Sequence, residues 1–255
     1  MSYFIKPELV TLEDYTYYKD YRTYSEYNYL RPGFITYLKT RHFEYSLALT
    51  REYFHNCNVI DFGCGDGIFL PSLAKYFNQV TGVDKIPEQI SIASKVCEKR
   101  GLNNVRLICN DSLSLEQLRQ RVGPEKYRLL YLLETLEHVG DKDDLYPSKI
   151  AFLKMLFSLI DPQGIVVVSV PVMVGIPFLF TRLGQHFLGR CLEKAPLPDL
   201  LRASFFCDTK ALEKRWKGGH LGFNHRKFEI SLRGSGFKVL KKKDLFFHIV
   251  YLIGK

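Results

Sequence analysis

The strongest constraint on the fold is an alternation of short apolar runs with helical patterns between residues 57 and 171. The apolar runs have the length of buried strands, and the segments between them carry apolar residues at helical spacing. The runs are NVIDF (58–62), QVTGVD (79–84), NVRLICND (104–111), YRLLYLLE (127–134) and IVVVSVP (165–171). Such alternation predicts an α/β fold with a parallel sheet covered by helices on both faces. Ligands of these sheets bind at the carboxyl ends of the strands.

Further helix and strand boundaries follow from the same signals. The patterns predict helices over 68–77, 87–100 and 145–160, the last of which ends at DPQG (161–164). The apolar runs at 237–240 and 246–253 predict a final antiparallel pair of strands.

The first predicted strand leads into a glycine-rich turn, DFGCGDG (61–67). Glycines let the backbone adopt positive φ and approach a ligand closely. Only one residue separates Gly65 from Gly67, whereas the dinucleotide fingerprint GxGxxG has two residues there. Asp61 at the strand end would repel a pyrophosphate and attract an ammonium group. The turn therefore favours S-adenosylmethionine, which carries an ammonium group and no phosphate.

Polar side chains also follow the second and third predicted strands. Asp84 lies 17 residues after Gly67, where a carboxylate can accept both ribose hydroxyls of a nucleoside. Asn110, Asp111 and Ser112 follow the third strand, where a polar side chain can bond the adenine amino group. An alternative for Asp111 is the N-cap of the next helix.

In order and spacing, these motifs resemble those of the class I S-adenosylmethionine-dependent methyltransferases. The matching segments are DFGCGDG (61–67), GVD (82–84), ND (110–111), LLETLEHV (132–139) and IDPQGIVVVSVP (160–171). The resemblance implies a Rossmann-like, seven-stranded mixed sheet with an antiparallel C-terminal hairpin. It implies S-adenosylmethionine as the methyl donor and S-adenosylhomocysteine as the product. The cofactor contacts that we predict are Asp61, Gly63, Cys64, Gly65, Asp84, Lys85, Asn110, Asp111, Ser112 and Glu134, with Glu134 near the methyl end.

The fourth strand ends in an ExxEH pattern formed by Glu134, Glu137 and His138. These side chains can converge on one side of a turn, where His138 could act as general base on an acceptor hydroxyl. Alternatively the three residues could hold Mg²⁺, or Glu137 and His138 could cap the next helix. We predict His138 and Glu137 as the catalytic pair and assign no metal, while the metal set of all three stays an alternative.

The ExxEH pattern also resembles two branches of the family, the ubiquinone-type O-methyltransferases and the small-RNA 2′-O-methyltransferases. Both branches use such a cluster for a metal near the acceptor hydroxyl, and the RNA branch needs a further histidine downstream. His220 and His225 are candidates for that histidine by position.

The segments outside the alternating region differ in composition. Residues 1–50 and the adjoining Tyr53 hold 11 of the 16 tyrosines, and we predict that 1–50 forms a cap that lines an acceptor pocket or packs on the domain edge. The methyltransferase domain is predicted over 51–255. Within it, 172–217 is expected to be an insertion or lid over the active-site edge.

Composition limits the partners and the setting. The net charge of +9 suits an anionic acceptor, a nucleic acid or an anionic membrane surface, with plain solubility as the alternative. The most apolar segment, 165–180, is shorter than the roughly 20 residues of a membrane helix and contains two prolines. The six cysteines form no CxxC pair and imply a reducing setting, so we predict a cytoplasmic protein.

Three hypotheses for the function follow. The favoured one is methyl transfer to a hydroxyl oxygen of a small molecule, such as a saccharide, a lipid-linked intermediate or a quinone precursor, and the acceptor is expected to be anionic or partly apolar. The second is an RNA 2′-O-methyltransferase, which the dispersed basic residues disfavour. The third is a non-catalytic binding protein that keeps the fold, because a fold alone does not prove activity.

Overall fold

A computed structural model describes residues 2–13, 15–17, 21–30, 33–123, 126–187 and 195–255. Its strands form one seven-stranded sheet in the order β3-β2-β1-β4-β5-β7-β6. Strands β1 to β5 are parallel, and β7 is antiparallel to both β5 and β6. The strands are β1 (Asn58–Phe62), β2 (Val80–Asp84), β3 (Val105–Cys109), β4 (Tyr127–Leu133), β5 (Ile165–Pro171), β6 (Lys238–Leu245) and β7 (His248–Gly254). The prediction of a mixed seven-stranded sheet is confirmed.

Helices cover both faces of this sheet, as predicted. The α-helices of the described residues are α1 (Phe34–Leu49), α2 (Leu70–Tyr76), α3 (Pro87–Arg100), α4 (Leu115–Val122), α5 (Leu145–Leu156), α6 (Gly175–Phe187), α7 (Leu197–Leu201), α8 (Lys210–Glu213) and α9 (His225–Gly234). Residues of α4, α5 and α9 belong to one core cluster, and residues of α1, α2 and α3 belong to the other.

Strand β4 shows why the two faces separate. Its side chains alternate, so Leu130 and Leu132 pack in the cluster with α5 and α9, whereas Leu129 and Tyr131 pack in the cluster with α1 and α2. Every residue of β5 is buried. Both strands lie inside the sheet with helices on either side, which explains why their sequences are almost continuously apolar.

Two predicted boundaries differ from the structure by more than two residues. Helix α5 ends at Leu156 rather than at residue 160, because Phe157 to Ile160 form turns that lead into the tight turn at Gly164. Strand β6 runs from Lys238 to Leu245, longer than the apolar run at 237–240. It is an edge strand and mostly exposed, so lysines stand at positions where a buried strand would have apolar residues.

The segments before β1 and after β5 pack against this core. Helix α1 contacts β5, β6 and β7, and Tyr29 and Phe43 belong to the core cluster on that face. In the 172–217 region, Met173, Phe178 and Leu212 belong to a small apolar cluster of their own. The division into a cap and a domain with a lid remains a prediction. Among the described helices, none combines the length and the apolar character that crossing a bilayer requires.

Candidate active site

The glycine turn after β1 lies at the point where the strand order reverses, between β1 and β4. Gly63 and Gly65 have φ of +80° and +55°. A Cβ on Gly63 would lie 2.2 Å from Oγ1 of Thr135, so the turn touches the segment that follows β4. A Cβ on Gly65 would meet no described atom within 4 Å. The turn therefore presents bare backbone to open space, as a cofactor cradle requires.

Asp84 is part of the framework that holds this turn. Its Oδ2 accepts a hydrogen bond from the N–H of Gly65 at 2.9 Å, and its Oδ1 accepts one from the N–H of Ile86 at 2.9 Å. The neighbouring Lys85 is exposed. The structure thus brings the predicted ribose-binding carboxylate to the glycine turn.

Asp61 is buried, with 3% of its surface exposed, and its Oδ2 accepts no hydrogen bond from the described residues. Burial, helped by the charge of Asp84, raises the pKa of this carboxyl group to about 7. A buried carboxyl group without a partner is costly unless something else satisfies it. The ammonium group of S-adenosylmethionine fits this requirement.

The remaining predicted cofactor residues lie nearby with different exposures. Asn110 donates its N–H to the carbonyl of Asp84, and its Oδ1 is buried without a hydrogen bond among the described residues. Asp111 and Ser112 are exposed. Helix α4 is capped by Ser114, so the alternative of Asp111 as its N-cap is wrong.

Cys64 differs from the other predicted cofactor residues. Its side chain is buried in the core cluster between the sheet and α2, and burial raises the pKa of its thiol well above the usual value. Its predicted contact with the cofactor could therefore come only from the backbone.

Glu134 follows β4 with a φ of +51°, a strained conformation for this residue type. Its Oε1 accepts a hydrogen bond from the Ser169 hydroxyl at 3.1 Å, and its Oε2 lies 3.3 Å from Nε2 of His248. The His248 ring lies 4.6 Å from that of His42 on α1. Burial opposes ionisation of Glu134, but the neighbouring His248 outweighs it, and the pKa of Glu134 is lowered.

The side chains of Glu137, His138 and His220 form a second polar group, which we call the Glu-His-His cluster. Glu137 and His138 lie in a short 3₁₀ turn, Leu136–His138. Oε1 of the fully buried Glu137 is 3.2 Å from Nδ1 of His220 and 3.8 Å from Nε2 of His138. Both imidazoles are partly exposed, at 38% for His220 and 42% for His138. The cluster therefore offers two accessible rings above a buried carboxylate.

The protonation pattern of the Glu-His-His cluster follows from its partners. Nδ1 of His138 lies 2.5 Å from the carbonyl oxygen of Gly218. A carbonyl only accepts, so Nδ1 carries a proton in both the neutral and the charged ring, and the lone pair of the neutral ring is on Nε2. Burial would raise the pKa of Glu137, but His220 and His138 outweigh it, and the pKa is lowered.

The ExxEH prediction needs one correction. Glu137 and His138 do converge, but the side chain of Glu134 contacts His248 and Ser169 instead. Among the described residues, the third member of the group is His220. His225 opens α9 and lies outside this group. The alternative that Glu137 and His138 cap the next helix is wrong, because α5 is preceded by Asp144.

Sequence reasoning missed Lys149, a fully buried lysine on α5. Its Nζ donates to the carbonyls of Glu137 at 3.1 Å and Val139 at 2.5 Å. Burial lowers the pKa of Lys149 to about 8. A signal was present, because Lys149 stands four residues from Leu145 and four from Leu153 on the apolar stripe of the helix.

A second missed residue is Asp66 within the glycine turn, which anchors the tyrosine-rich segment. Its Oδ2 accepts a hydrogen bond from the N–H of Ser25 at 2.7 Å, and its Oδ1 accepts one from the Ser25 hydroxyl. Further along, the Gln89 amide donates to the Tyr15 hydroxyl at 3.1 Å. The N-terminal segment therefore lies against the glycine turn.

Comparison with known proteins identifies the class. A model of the methyltransferase domain family matches residues 30–217. The chain therefore belongs to this family, and by fold and family it is a class I S-adenosylmethionine-dependent methyltransferase.

The similarity to individual proteins is low or covers only part of the chain. The ubiquinone biosynthesis O-methyltransferase of Haemophilus ducreyi is 28% identical over 188 residues, which are 68% of this chain and 72% of that protein. Human EEF1A lysine methyltransferase 2 is 41% identical over 61 residues, only 24% of this chain and 26% of its own length. The solved magnesium protoporphyrin IX methyltransferase of Synechocystis shares 15% identity at a TM-score of 0.55, covering 90% of this chain and 91% of its own, and supports the fold alone.

Proposed function

We propose that this chain transfers the methyl group of S-adenosylmethionine to a hydroxyl oxygen of a small-molecule acceptor at the Glu-His-His cluster. The observation that carries the proposal is the contact between Gly63 and Thr135, which sets the cofactor turn directly beside the segment that bears Glu137 and His138. The similarity to ubiquinone biosynthesis O-methyltransferases supports an acceptor of this chemical class.

In this proposal the cofactor residues act mainly by orientation. When bound, S-adenosylmethionine supplies a methyl group already activated by its sulfonium. Asp61 balances the ammonium group, and Asp84 accepts the ribose hydroxyls while its own bonds to the turn hold it in place. The open backbone at Gly65 admits the cofactor. Alignment of the methyl donor and the acceptor then accounts for most of the reduction in the activation free energy.

In this proposal His138 is the general base that removes the proton from the hydroxyl group of the methyl acceptor. Its Nδ1–H is held by the carbonyl of Gly218, which leaves the Nε2 lone pair directed toward the cluster. The ionised Glu137 beside it stabilises the imidazolium that forms. A hydroxyl acceptor needs such a base because it starts neutral and protonated.

A second candidate for the same step is a divalent cation held by the Glu-His-His cluster. Its ligand atoms lie within 4.8 Å of one another, and the carboxylate oxygens of Glu137 accept no aligned hydrogen bond from the described residues. A bound cation would supply Lewis acidity to the acceptor hydroxyl. Two imidazoles and one carboxylate suit Zn²⁺, Mn²⁺ or Fe²⁺ better than Mg²⁺, the ion of the alternative that the sequence left open.

The test uses radiolabelled S-adenosylmethionine with separated metabolite, RNA and protein fractions of a cell extract, and with 3,4-dihydroxybenzoate as a defined hydroxyl probe. We expect label in the metabolite fraction, on oxygen. His138→Asn should lower turnover about 100- to 10,000-fold, the usual contribution of general acid–base catalysis. Label confined to RNA would favour the RNA hypothesis, label on protein would contradict a small-molecule acceptor, and cofactor binding without any transfer would favour the non-catalytic alternative.

A matched control is His55→Asn. His55 is exposed, precedes β1 and thus lies at the opposite edge of the sheet, and its φ of +59° is one that asparagine tolerates well. Its turnover should equal that of the wild type. Assays with EDTA and with added Mn²⁺ or Zn²⁺ separate the two candidates, because loss of turnover with EDTA and recovery with metal would favour the cation.

A further inference from the structure

The Glu-His-His cluster is assembled from two segments that are far apart in sequence. Glu137 and His138 lie in the turn after β4, and His220 lies in the loop before α9. The carbonyl of Gly218 that receives Nδ1 of His138 is 80 residues away along the chain. Some other contact must keep the turn and the loop in register, since two partly exposed imidazoles alone would hold them weakly.

Lys149 holds the first segment. Its buried ammonium donates to the carbonyls of Glu137 at 3.1 Å and Val139 at 2.5 Å, the residues on either side of His138. A neutral side chain of similar length would leave these carbonyls without their donor, and an unsatisfied buried polar group is costly. The spacing of the two carbonyls around one ammonium fixes the turn that bears the catalytic pair.

The same ammonium also packs on the second segment. Nζ of Lys149 lies 5.0 Å from the centre of the Trp216 ring and 5.6 Å from that of Phe223, both within the range of cation–π attraction. The indole N–H of Trp216 donates to the carbonyl of Gly219 at 2.8 Å, and the N–H of Phe223 donates to the carbonyl of His220 at 3.1 Å. The two aromatic residues therefore flank and hold the loop that carries His220.

We infer that Lys149 is a positioning residue that keeps the turn of Glu137 and His138 in register with the loop of His220. Its catalytic consequence rests on the proposed function of the Glu-His-His cluster. Lys149 acts through the backbone and the aromatic rings, and its own side chain reaches neither cofactor nor acceptor because it is fully buried. The ammonium group thus contacts both segments at once and connects them.

The test compares Lys149→Met with Lys154→Met, a matched change at an exposed lysine on the same helix. The first readout is the imidazole tautomer of His138 in protein labelled with ¹⁵N-histidine, assigned by loss of its signals in His138→Asn. The wild type and Lys154→Met should show the Nδ1–H form. Lys149→Met should lose it, while its affinity for S-adenosylhomocysteine stays within about threefold.

The second readout is the turnover of 3,4-dihydroxybenzoate. In Lys149→Met, kcat should fall about 10- to 100-fold, the effect usual for residues that hold the side chains of a site in position. KM for S-adenosylmethionine should change little. An unchanged tautomer with unchanged kcat would overturn the inference. A lost tautomer with unchanged kcat would uphold Lys149 as the positioning residue and instead overturn the proposed function at the cluster.

A second variant covers the case in which Lys149→Met fails to bind S-adenosylhomocysteine because it does not fold. Trp216→Phe keeps the lysine and an aromatic ring in place, and it removes the bond to Gly219 together with the second ring of the indole. We expect a partial loss of the Nδ1–H signal of His138 and a smaller fall in kcat. A Trp216→Phe enzyme identical to the wild type in both readouts would overturn the inference.

Discussion

At the scale of single residues, the site depends on charges whose burial sets their state. Asp61 is a buried carboxyl group without a hydrogen bond at Oδ2 among the described residues, and its pKa is raised to about 7. The nearby Asp84 is instead satisfied by two backbone N–H groups. The two aspartates at neighbouring strand ends therefore differ: Asp61 has a buried oxygen without a hydrogen bond among the described residues, and Asp84 is held by the backbone of the glycine turn.

We predict that binding of S-adenosylhomocysteine releases part of a proton near pH 6.5. An ammonium ligand favours the ionised form of Asp61, so affinity should rise as pH increases through about 7. Calorimetry in buffers of different ionisation enthalpy measures the release. Asp61→Asn should bind more weakly and show no buffer dependence, while Glu52→Gln, an exposed control, should behave as the wild type. Buffer-independent heats in the wild type would contradict the prediction.

At the scale of elements, the N-terminal segment and the glycine turn are joined by Asp66. Both oxygens of this buried carboxylate accept hydrogen bonds from Ser25. The turn thus carries the predicted cofactor residues on one side and holds the tyrosine-rich segment on the other. We expect the segment 21–30 to retain the bound cofactor, since it lies against the turn that holds it.

Asp66→Ala should therefore loosen this segment and speed the release of S-adenosylhomocysteine about 10- to 100-fold, in line with the roughly 1.5–3 kcal/mol typical of hydrogen bonds to charged groups. Stopped-flow dissociation measures the rate, and limited proteolysis should cut the segment sooner. Ser25→Ala keeps the backbone bond and should show a smaller effect. A dissociation rate unchanged in Asp66→Ala would mean that the segment does not retain the cofactor.

At the scale of the whole molecule, buried titratable groups on different elements make stability depend on pH in opposite directions. His42 on α1 is fully buried against His248, and burial lowers its pKa to about 3 from 6.5. The folded chain therefore binds fewer protons than the unfolded chain between these values, and stability falls as pH drops from 6.5 towards 3. Asp61 acts oppositely, because its raised pKa makes the protein without cofactor lose stability as pH rises from about 4 to 7.

In His42→Leu the melting temperature should fall less on acidification than in the wild type. The free energy of unfolding that the variant retains at low pH is on the order of a few kcal/mol. Asp61→Asn should steepen the same profile, because it removes the opposing contribution. Melting curves of the cofactor-free protein between pH 4 and 8 test both directions. Parallel profiles for His42→Leu and the wild type would contradict the role of His42.

The sequence by itself determined the seven-stranded sheet and the family, and it predicted Asp61, Gly63, Gly65 and Asp84 as cofactor contacts, because apolar periodicity and glycine spacing act locally along the chain. It also suggested the catalytic pair of Glu137 and His138. Only the tertiary structure chose His220 over Glu134 as their neighbour, and only it placed Lys149 and Asp66. Those contacts join residues from distant segments, and no local pattern encodes which of several polar side chains will meet across a fold.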